Sequence, residues 1–254
     1  MDRWKKGIGK EFADHLLKWG RSGNGLVISE SPFGMTEDGL LDFRGLQFGQ
    51  RVELLRVEFK AADFSKAQFK DARIGLSTFT DSLWEKSDFR GLVESGSKYI
   101  RCRFTNCAIN GSFIGYKGTH FDTCFFKGCN FKRTSFIRPE FDDCIFDNNN
   151  FNGCDFFGSS FERCEFNGVL KDVRLRGGFP LPDFESKYGK SRPNKMLNVS
   201  FKNADLIEMT YSDRCDLSTV TVPIVGDYAL LEHWPERLLR LEQIAESWPP
   251  QEQK

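Results

Sequence analysis

The chain of 254 residues has no apolar run long enough to span a bilayer, and no signal-peptide pattern opens it. Both absences predict a soluble protein of the cytoplasm. Histidine is scarce, because only His15, His120 and His233 occur, and they are scattered along the chain. No Cys-x-x-Cys pair is present either. These two shortages disfavour a zinc site.

Sequence signatures of common catalytic sites are also missing. The glycine-rich stretches at 7–12 and 20–25 are too short for a phosphate-binding loop and lack a preceding strand. No Gly-x-Ser-x-Gly, His-Glu-x-x-His or Asp-x-Asp-x-Asp-Gly pattern occurs. We therefore predict a protein that is not an enzyme and that carries no cofactor and no metal.

Phenylalanine is what the chain has in excess, at 26 residues, and ten of them follow one another at a spacing of five. Neither an α-helix nor a strand keeps every fifth residue on one side. A small side chain lies two positions before most of these rings, and the other positions are mostly polar or glycine. The pattern predicts a chain that turns a corner every five residues around a narrow core. The ten rings are Phe121, Phe126, Phe131, Phe136, Phe141, Phe146, Phe151, Phe156, Phe161 and Phe166.

This pattern resembles the pentapeptide-repeat family, whose units read A-[D/N]-[L/F]-x-x. The segments AADFSKAQFKDA at 61–72 and GCNFKRTSF at 128–136 are close matches. The resemblance covers residues 41–176 and returns at 199–222. It implies an all-β solenoid: a right-handed quadrilateral β-helix with N-terminal and C-terminal helical caps. Residues twenty apart then stack, except across a two-residue slip that we place between Ile109 and Tyr116.

The repeat pattern divides the chain into five segments. Residues 1–40 are predicted to form an N-terminal helix and lead-in cap, residues 41–176 the β-helix, and residues 177–196 a projecting loop. Residues 197–225 form the final repeat coil, and residues 226–254 a C-terminal helix. For the first helix, over residues 3–19, we predict one apolar face: Trp4, Ile8, Phe12, Leu16 and Trp19.

We name the four faces A, B, C and D by the rings that lie on them, which are Phe121, Phe126, Phe131 and Phe136 in chain order. Face A is predicted to carry a stacked column of acids with two further acids beside it, and the segment from Pro139 to Phe166 holds seven acids and one base. We call this group the acid band and consider it a candidate site for partner binding. Its members are Asp122, Glu140, Asp142, Asp143 and Glu162.

Three other surfaces are candidates for binding. Face C is predicted to be basic through Lys70, Arg90, Lys132 and Arg133. On face D, Ile137 and Phe157 are predicted to point outward, one above the other. The loop of residues 177–196, with Phe184 near its middle, is the third, because loops on rigid scaffolds often carry binding. No single loop residue is singled out, and a tolerated insertion explains the loop equally well.

Two features concern the interior. Glu94 falls where a large apolar residue belongs, and because a buried lone carboxylate is costly, we predict that residues 91–99 bulge outward. The eight cysteines all occupy the small inward position. Their side chains point the same way, which makes poor bridge geometry, so we predict free thiols rather than disulfides. They are Cys102, Cys107, Cys124, Cys129, Cys144, Cys154, Cys164 and Cys215.

After Gly226 the chain is predicted to be helical, with Pro235 in the first turn. Apolar residues follow a spacing typical of a short coiled-coil seam. This face could cap the last coil or pair with a second copy. Some members of the family that the chain resembles dimerise through their C-terminal ends, so we predict a cap combined with a two-fold dimer. The dimer candidates are Leu231, Trp234, Leu238, Leu241 and Trp248.

Three functions fit these observations. The first is a non-enzymatic scaffold that binds a protein partner through its faces, loop and ends, of which an immunity or defence-system partner protein is one version. The second, implied by the resemblance, is a DNA-mimic-like modulator or protector of DNA gyrase or another type II topoisomerase. The net charge of zero and the basic face C count against it. The third, direct nucleic-acid binding through face C, is disfavoured because the patch is thin and the aromatic rings point inward. The resemblance also implies a bacterial source.

Overall fold

Single residues in the left-handed backbone conformation make the corners of the chain. Non-glycine residues of this kind recur every five positions, as at Arg56, Ala61 and Lys66, whose φ angles are 54°, 50° and 62°. Short strands run between corners and pair in parallel with the coils before and after them. The computed structural model describes residues 2–178, 186, 196–228 and 234–246. The predicted fold class, a four-sided parallel β-helix with a helix towards each end of the chain, is confirmed.

Three of the four faces are parallel sheets. The sheet on face A contains β1 (Leu26–Ile28), β4 (Val57–Lys60), β7 (Thr78–Thr80), β10 (Lys98–Ile100), β13 (His120–Asp122), β16 (Glu140–Asp142) and β19 (Ser160–Glu162). The sheet on face B contains β2 (Leu41–Asp42), β5 (Ala62–Asp63), β8 (Leu83–Glu85), β11 (Arg103–Thr105), β14 (Phe125–Lys127), β17 (Ile145–Asp147), β20 (Glu165–Lys171) and β22 (Ser200–Ile207).

The sheet on face D contains β3 (Glu53–Leu55), β6 (Arg73–Gly75), β9 (Val93–Ser95), β12 (Phe113–Ile114), β15 (Ser135–Ile137), β18 (Asp155–Phe157), β21 (Arg174–Arg176) and β23 (Thr210–Ser212). Face C is held by single parallel bridges instead of strands. These bridges join Gln68, Asp88, Ala108, Asn130 and Asn150 in turn.

The coils differ in length, as the strand pairing of their inward residues shows. Phe79 pairs with Tyr99 twenty positions later, whereas Tyr99 pairs with Phe121, so this coil is longer by two positions. Phe156 pairs with Leu175, so a later coil is one position shorter than the usual twenty. In that shorter coil β20 is a seven-residue strand that includes Gly168, whose φ is 90°, and it pairs with β22.

The two-residue slip lies later than we predicted. Ile114, not Tyr116, is the inward residue of its unit, because β12 pairs Ile114 with Phe136 and buries it. The extra residues therefore fall between Ile114 and Phe121. Gly115 explains the position: its φ is 100°, and a Cβ there would lie 2.6 Å from the carbonyl oxygen of Ile137.

Stacked aromatic rings fill the interior of the solenoid. Rings on the same face stack nearly parallel, such as Phe136 on Phe156 with centroids 4.2 Å apart. Rings on neighbouring faces meet edge to face, such as Phe141 and Phe146 at 5.4 Å and 73°. Both arrangements suit the quadrupole of an aromatic ring. Each ring therefore packs favourably against the rings above and below it on its own face and against the rings on the neighbouring faces.

The small inward residue ties one coil to the previous one. Its side chain donates to the carbonyl oxygen of the ring residue in the preceding coil. Ser87 Oγ donates to Phe64 O at 2.7 Å, Asn149 Nδ2 to Phe126 O at 2.9 Å, and Cys144 Sγ to Phe121 O at 3.4 Å. The predicted free thiols are confirmed, and seven of the eight cysteines are buried. Burial raises the pKa of the Cys144 thiol and thereby keeps the thiol unreactive.

The N-terminal segment covers the first coil. A 3₁₀ turn (Asp2–Trp4) precedes helix α1 (Gly7–Ser22). The buried face of α1 includes Ala13, Leu16, Leu17 and Gly20. The predicted apolar face was right for Trp4, Phe12 and Leu16, which pack against the core, and wrong for Ile8 and Trp19, which are exposed. The helix begins at Gly7 and not at residue 3, so the side of it that faces the solenoid differs in part from the side that we predicted. Gly20 permits the close approach, because a Cβ there would lie 2.8 Å from Leu54 Cδ2.

Asp42 anchors this N-terminal segment to the solenoid. Its carboxylate accepts from Arg3 Nη1 at 2.9 Å and from Arg44 Nη2 at 2.9 Å. Burial raises the pKa of Asp42, but the hydrogen bonds from the two arginines outweigh it, and the pKa lies well below its usual range. The carboxylate is thus charged at any ordinary pH.

At the other end of the chain, helix α2 spans Trp234–Glu246 and has Pro235 in its first turn, as predicted.

Candidate partner-binding surfaces

The acid band is brought together on face A largely as predicted. Asp122, Asp142 and Glu162 occupy equivalent positions in β13, β16 and β19, so their side chains stack along the solenoid. Glu140 lies at the start of β16 on the same face, and Asp143 forms the corner that follows β16. The repeat period alone explains this alignment, because each coil places its third strand residue directly above that of the last.

One arginine neutralises much of this band. Arg163 Nε donates to Asp143 Oδ1 at 2.9 Å, and its Nη2 also donates to Asp142 Oδ1. Its Nη1 lies 3.5 Å from Glu162 Oε2. The hydrogen bond with Asp143 raises the pKa of Arg163 further above its usual range, so the side chain stays charged. Arg163, the single base between Pro139 and Phe166, thus lies among the acids of the band. Counting charges along the sequence could not reveal these contacts.

A second ion pair occupies the same column of corners. Arg101 Nε donates to Asp81 Oδ1 at 2.7 Å, earlier along the solenoid than the pair of Asp143 and Arg163. The corner between faces A and B therefore carries acids and bases together. On face C, the basic patch is reduced in the same way, because Arg90 Nη2 donates to Asp88 Oδ2 at 2.6 Å.

Face B carries an apolar column that was not predicted from the sequence. Leu83, Arg103, Phe125 and Ile145 occupy equivalent positions in successive strands. Ile145 is exposed, whereas Phe125 is half-buried, with the guanidinium carbon of Arg103 5.2 Å from the centroid of its ring. The position just before each central ring faces outward, so apolar residues in that column of the repeat are the signal that could have revealed it.

This column adjoins the acid band at the corner between the two faces. We call the combined surface the A–B edge and define it by Asp122, Asp142, Asp143, Phe125 and Ile145. Apolar side chains bordered by charges are the composition that protein–protein interfaces favour. The A–B edge therefore offers both contact area and charge within two successive coils.

The predicted pair on face D stacks but is less accessible than expected. Ile137 and Phe157 are partners in β15 and β18. Ile137 is only 8% exposed, and Phe157 is half-buried with the guanidinium carbon of Arg176 5.2 Å from its ring centroid. The strands of face D instead expose Phe113, at 50%. As a binding site the pair stays a prediction.

Two further candidate regions are described only in part. Within the loop of residues 177–196, positions 179–185 and 187–195 lie outside the described residues, so the loop stays a prediction. Of the dimer candidates, Leu231, Trp248 and the side chain of Trp234 also lie outside them. Within α2, Leu238 and Leu241 are exposed, as is Leu239 beside them.

Glu94 does not bulge outward, contrary to our prediction. It is 1% exposed and pairs in register with Ile74, so its carboxyl group points into the core. The extra residues of the long coil supply hydrogen bonds that the sequence did not reveal. Glu94 Oε1 accepts from Ser97 N at 3.1 Å, and Oε2 accepts from Gly115 N at 3.2 Å and from the Thr119 hydroxyl. Burial raises the pKa of Glu94.

Potential metal ligands are dispersed over the molecule. Within the part of the chain that the structure describes, no three His, Cys, Asp or Glu side chains come together as a metal ion would require. Among the same residues, no helix is both long and apolar enough to cross a membrane.

Comparison with known proteins bears on the repeat fold. Residues 97–173 match the family model for a pentapeptide repeat region. Among solved structures, a trypsin-treated variant of QnrB1, a plasmid-mediated fluoroquinolone resistance protein, is 17% identical, with a TM-score of 0.42 over 73% of this chain and 97% of that one. HetL from the cyanobacterium Nostoc sp. strain PCC 7120, involved in heterocyst differentiation regulation, is 11% identical, with a TM-score of 0.41 over 68% and 90%. None of the curated proteins compared with the chain matches it.

The predicted resemblance is therefore confirmed: residues 97–173 of the chain form a pentapeptide-repeat region. The likeness to the two solved structures concerns the fold alone.

Proposed function

We propose that the protein is a non-enzymatic scaffold that binds a protein partner, and that the A–B edge is its contact surface. The observation that carries this proposal is the outward-facing column of Phe125 and Ile145 beside the stacked acids Asp122 and Asp142. A rigid rod presents such a surface without reorganising, which lowers the entropic cost of association. An immunity or defence-system partner protein is one version of this function.

The chemistry of the A–B edge defines the partner surface that would fit it. Phe125 and Ile145 need an apolar counterpart, and the acids that Arg163 does not fully neutralise favour basic residues around it. Asp122 lies one coil further from Arg163 than Asp142 does, and its carboxylate accepts from the hydroxyl of Thr123 at 2.8 Å. The pair Ile137 and Phe157 and the loop of residues 177–196 remain alternative contact sites.

Changing Phe125 and Ile145 to serine is expected to abolish partner capture while leaving the fold intact. Both side chains lie outside the ring core, and Phe125 is half-buried, so the loss of stability should be about 1 kcal/mol for each substitution. Wild type and variant, each immobilised, would capture proteins from a bacterial lysate, and mass spectrometry would identify those retained. The captured protein would then be purified and its affinity for both chains measured.

The matched control is Phe113→Ser, which removes an exposed aromatic side chain from face D. The proposal predicts that this variant retains the partner. If F113S loses the partner while F125S/I145S keeps it, face D is the contact surface and the A–B edge is not.

A DNA-mimic-like modulator or protector of DNA gyrase or another type II topoisomerase is the second candidate. The stacking of Asp122, Asp142 and Glu162 on successive coils favours it, whereas the ion pairs of Arg163 shorten the row of uncompensated charge. Recovery of gyrase or topoisomerase subunits in the same capture experiment, lost when these three acids are changed to lysine, would favour this candidate over the generic scaffold.

We further propose that the chain forms a two-fold dimer through α2. Exposure of Leu238 and Leu241 supports this, because a short helix depends on burying its apolar face. The candidates Leu231, Trp234 and Trp248 continue the same sequence spacing on either side.

A further inference from the structure

Helix α2 presents a broad apolar face to the outside. Leu238, Leu239 and Leu241 are 41%, 60% and 52% exposed. The helix spans 13 residues, and a helix of that length is only marginally stable in water unless packing supports it. Some surface must therefore cover these leucines when the helix is stably formed.

The charges beside the seam indicate which surface that is. Leu238, Leu241 and Ala245 take the a, d and a positions of a heptad, which places Arg237 at g and Glu242 at e. In a parallel pair of helices, a g residue faces the e residue that lies five positions further along the partner. Arg237 and Glu242 are five positions apart, so each helix offers the opposite charge that the other needs.

An antiparallel pair would not use these charges. It brings e towards e and g towards g, which leaves Arg237 without an acidic partner and sets Glu242 near the same residue of the other copy. Both side chains are exposed, so they are available for contacts across a pair.

We propose that two copies of the chain associate in parallel through α2, with Arg237 of each helix facing Glu242 of the partner subunit. This inference rests on the proposed dimer and specifies its orientation and the residues that select it. The occupant of the apolar face is thus a second copy. The alternative cover is the groove near Val169, Ile224 and Val225 at the end of the same solenoid, where all three side chains are exposed.

The first test exchanges the charges. Arg237→Glu and Glu242→Arg each place like charges in both contacts, so each variant alone should dissociate about tenfold more readily than wild type. Mixed in equal amounts, the two variants should form a heterodimer with close to wild-type affinity, because opposite charges face each other again. Sedimentation equilibrium over a concentration series at low salt measures all three samples. Arg240→Glu, which reverses a charge away from the seam, is the matched control and should not change the affinity.

The second test measures orientation directly. In a parallel pair Ala245 faces Ala245 of the partner subunit, so Ala245→Cys should form an intermolecular disulfide on oxidation. In an antiparallel pair the two positions would be separated by about 12 Å along the axis, which is beyond bridging distance. The Cys215→Ser background removes the one cysteine that is not fully buried.

The outcomes separate the orientation from the dimer itself. A wild-type dimer that R237E leaves intact and A245C does not cross-link overturns the parallel arrangement but keeps the dimer. A wild type that is monomeric at every concentration overturns both. If hydrogen exchange then shows α2 to be protected in that monomer, the groove of the same chain is the cover.

Discussion

Replacing Glu94 by isoleucine is expected to destabilise the protein, although it restores the apolar side chain that the repeat has at equivalent positions. The expected loss is about 2–4 kcal/mol, because three buried donors would lose their acceptor. They are the backbone N–H groups of Ser97 and Gly115 and the hydroxyl group of Thr119. Urea unfolding followed by circular dichroism at pH 7 measures the difference.

A deletion provides the matched control for this substitution. Removing Tyr116 and Lys117 together with the change to isoleucine returns the long coil to the length of its neighbours and removes the irregular turn that Glu94 serves. The combined variant should regain at least half of the lost stability. A Glu94→Ile variant as stable as wild type would contradict this account of the carboxyl group as the acceptor of the long coil.

Stability should also depend on pH through Glu94. Burial raises the pKa of Glu94 in the folded protein above the value of about 4.3 that the unfolded chain has. The unfolded state therefore ionises first as pH rises, and the stability present below about pH 4.3 declines until the folded pKa is passed, by at most about 1.4 kcal/mol per pH unit. In Glu94→Gln this decline should disappear, so the difference between the two unfolding free energies should narrow from pH 4 to 7. An unchanged difference over that range would show that Glu94 titrates normally.

The sequence was sufficient to predict the fold because the five-residue period recurs throughout the repeat region. It also sufficed for the columns of side chains, since stacking follows directly from coil length. The position of the slip could not be read, because Ile114 and Tyr116 are both large and either choice keeps the cysteines in register. What distinguishes them is the backbone of Gly115 against the carbonyl of Ile137, a contact between different coils.

The candidate site was predictable only in part, for related reasons. The acid band followed from the repeat, but the reach of Arg163 to three acids depends on side-chain conformation. Glu94 was misjudged because two of its hydrogen-bond donors come from a turn more than twenty positions away. The apolar column of Phe125 and Ile145, in contrast, was present in the sequence, in the position before each ring.

Trp84 is expected to show the largest cost of truncation and almost none of conservative change. It is fully buried on face B, with its ring stacked 4.1 Å from Phe64 and 5.9 Å from Phe104. Trp84→Ala should cost about 3–5 kcal/mol, because the neighbouring rings cannot collapse into the space. Urea unfolding of this variant measures the loss.

Trp84→Phe should instead cost less than about 1 kcal/mol or even stabilise the protein. It loses ring area, but it also removes an indole N–H that has no hydrogen-bond partner among the described residues, a group whose burial alone costs about 1–3 kcal/mol. A loss above about 2 kcal/mol for W84F would show that ring size outweighs the unpaired N–H. Since each coil contacts only its neighbours, the damage from W84A should be local at first. Hydrogen exchange should therefore rise in the coils around β5, β8 and β11 while the coils around β17 and β20 stay protected, which makes the solenoid a chain of coupled units rather than a single cooperative core.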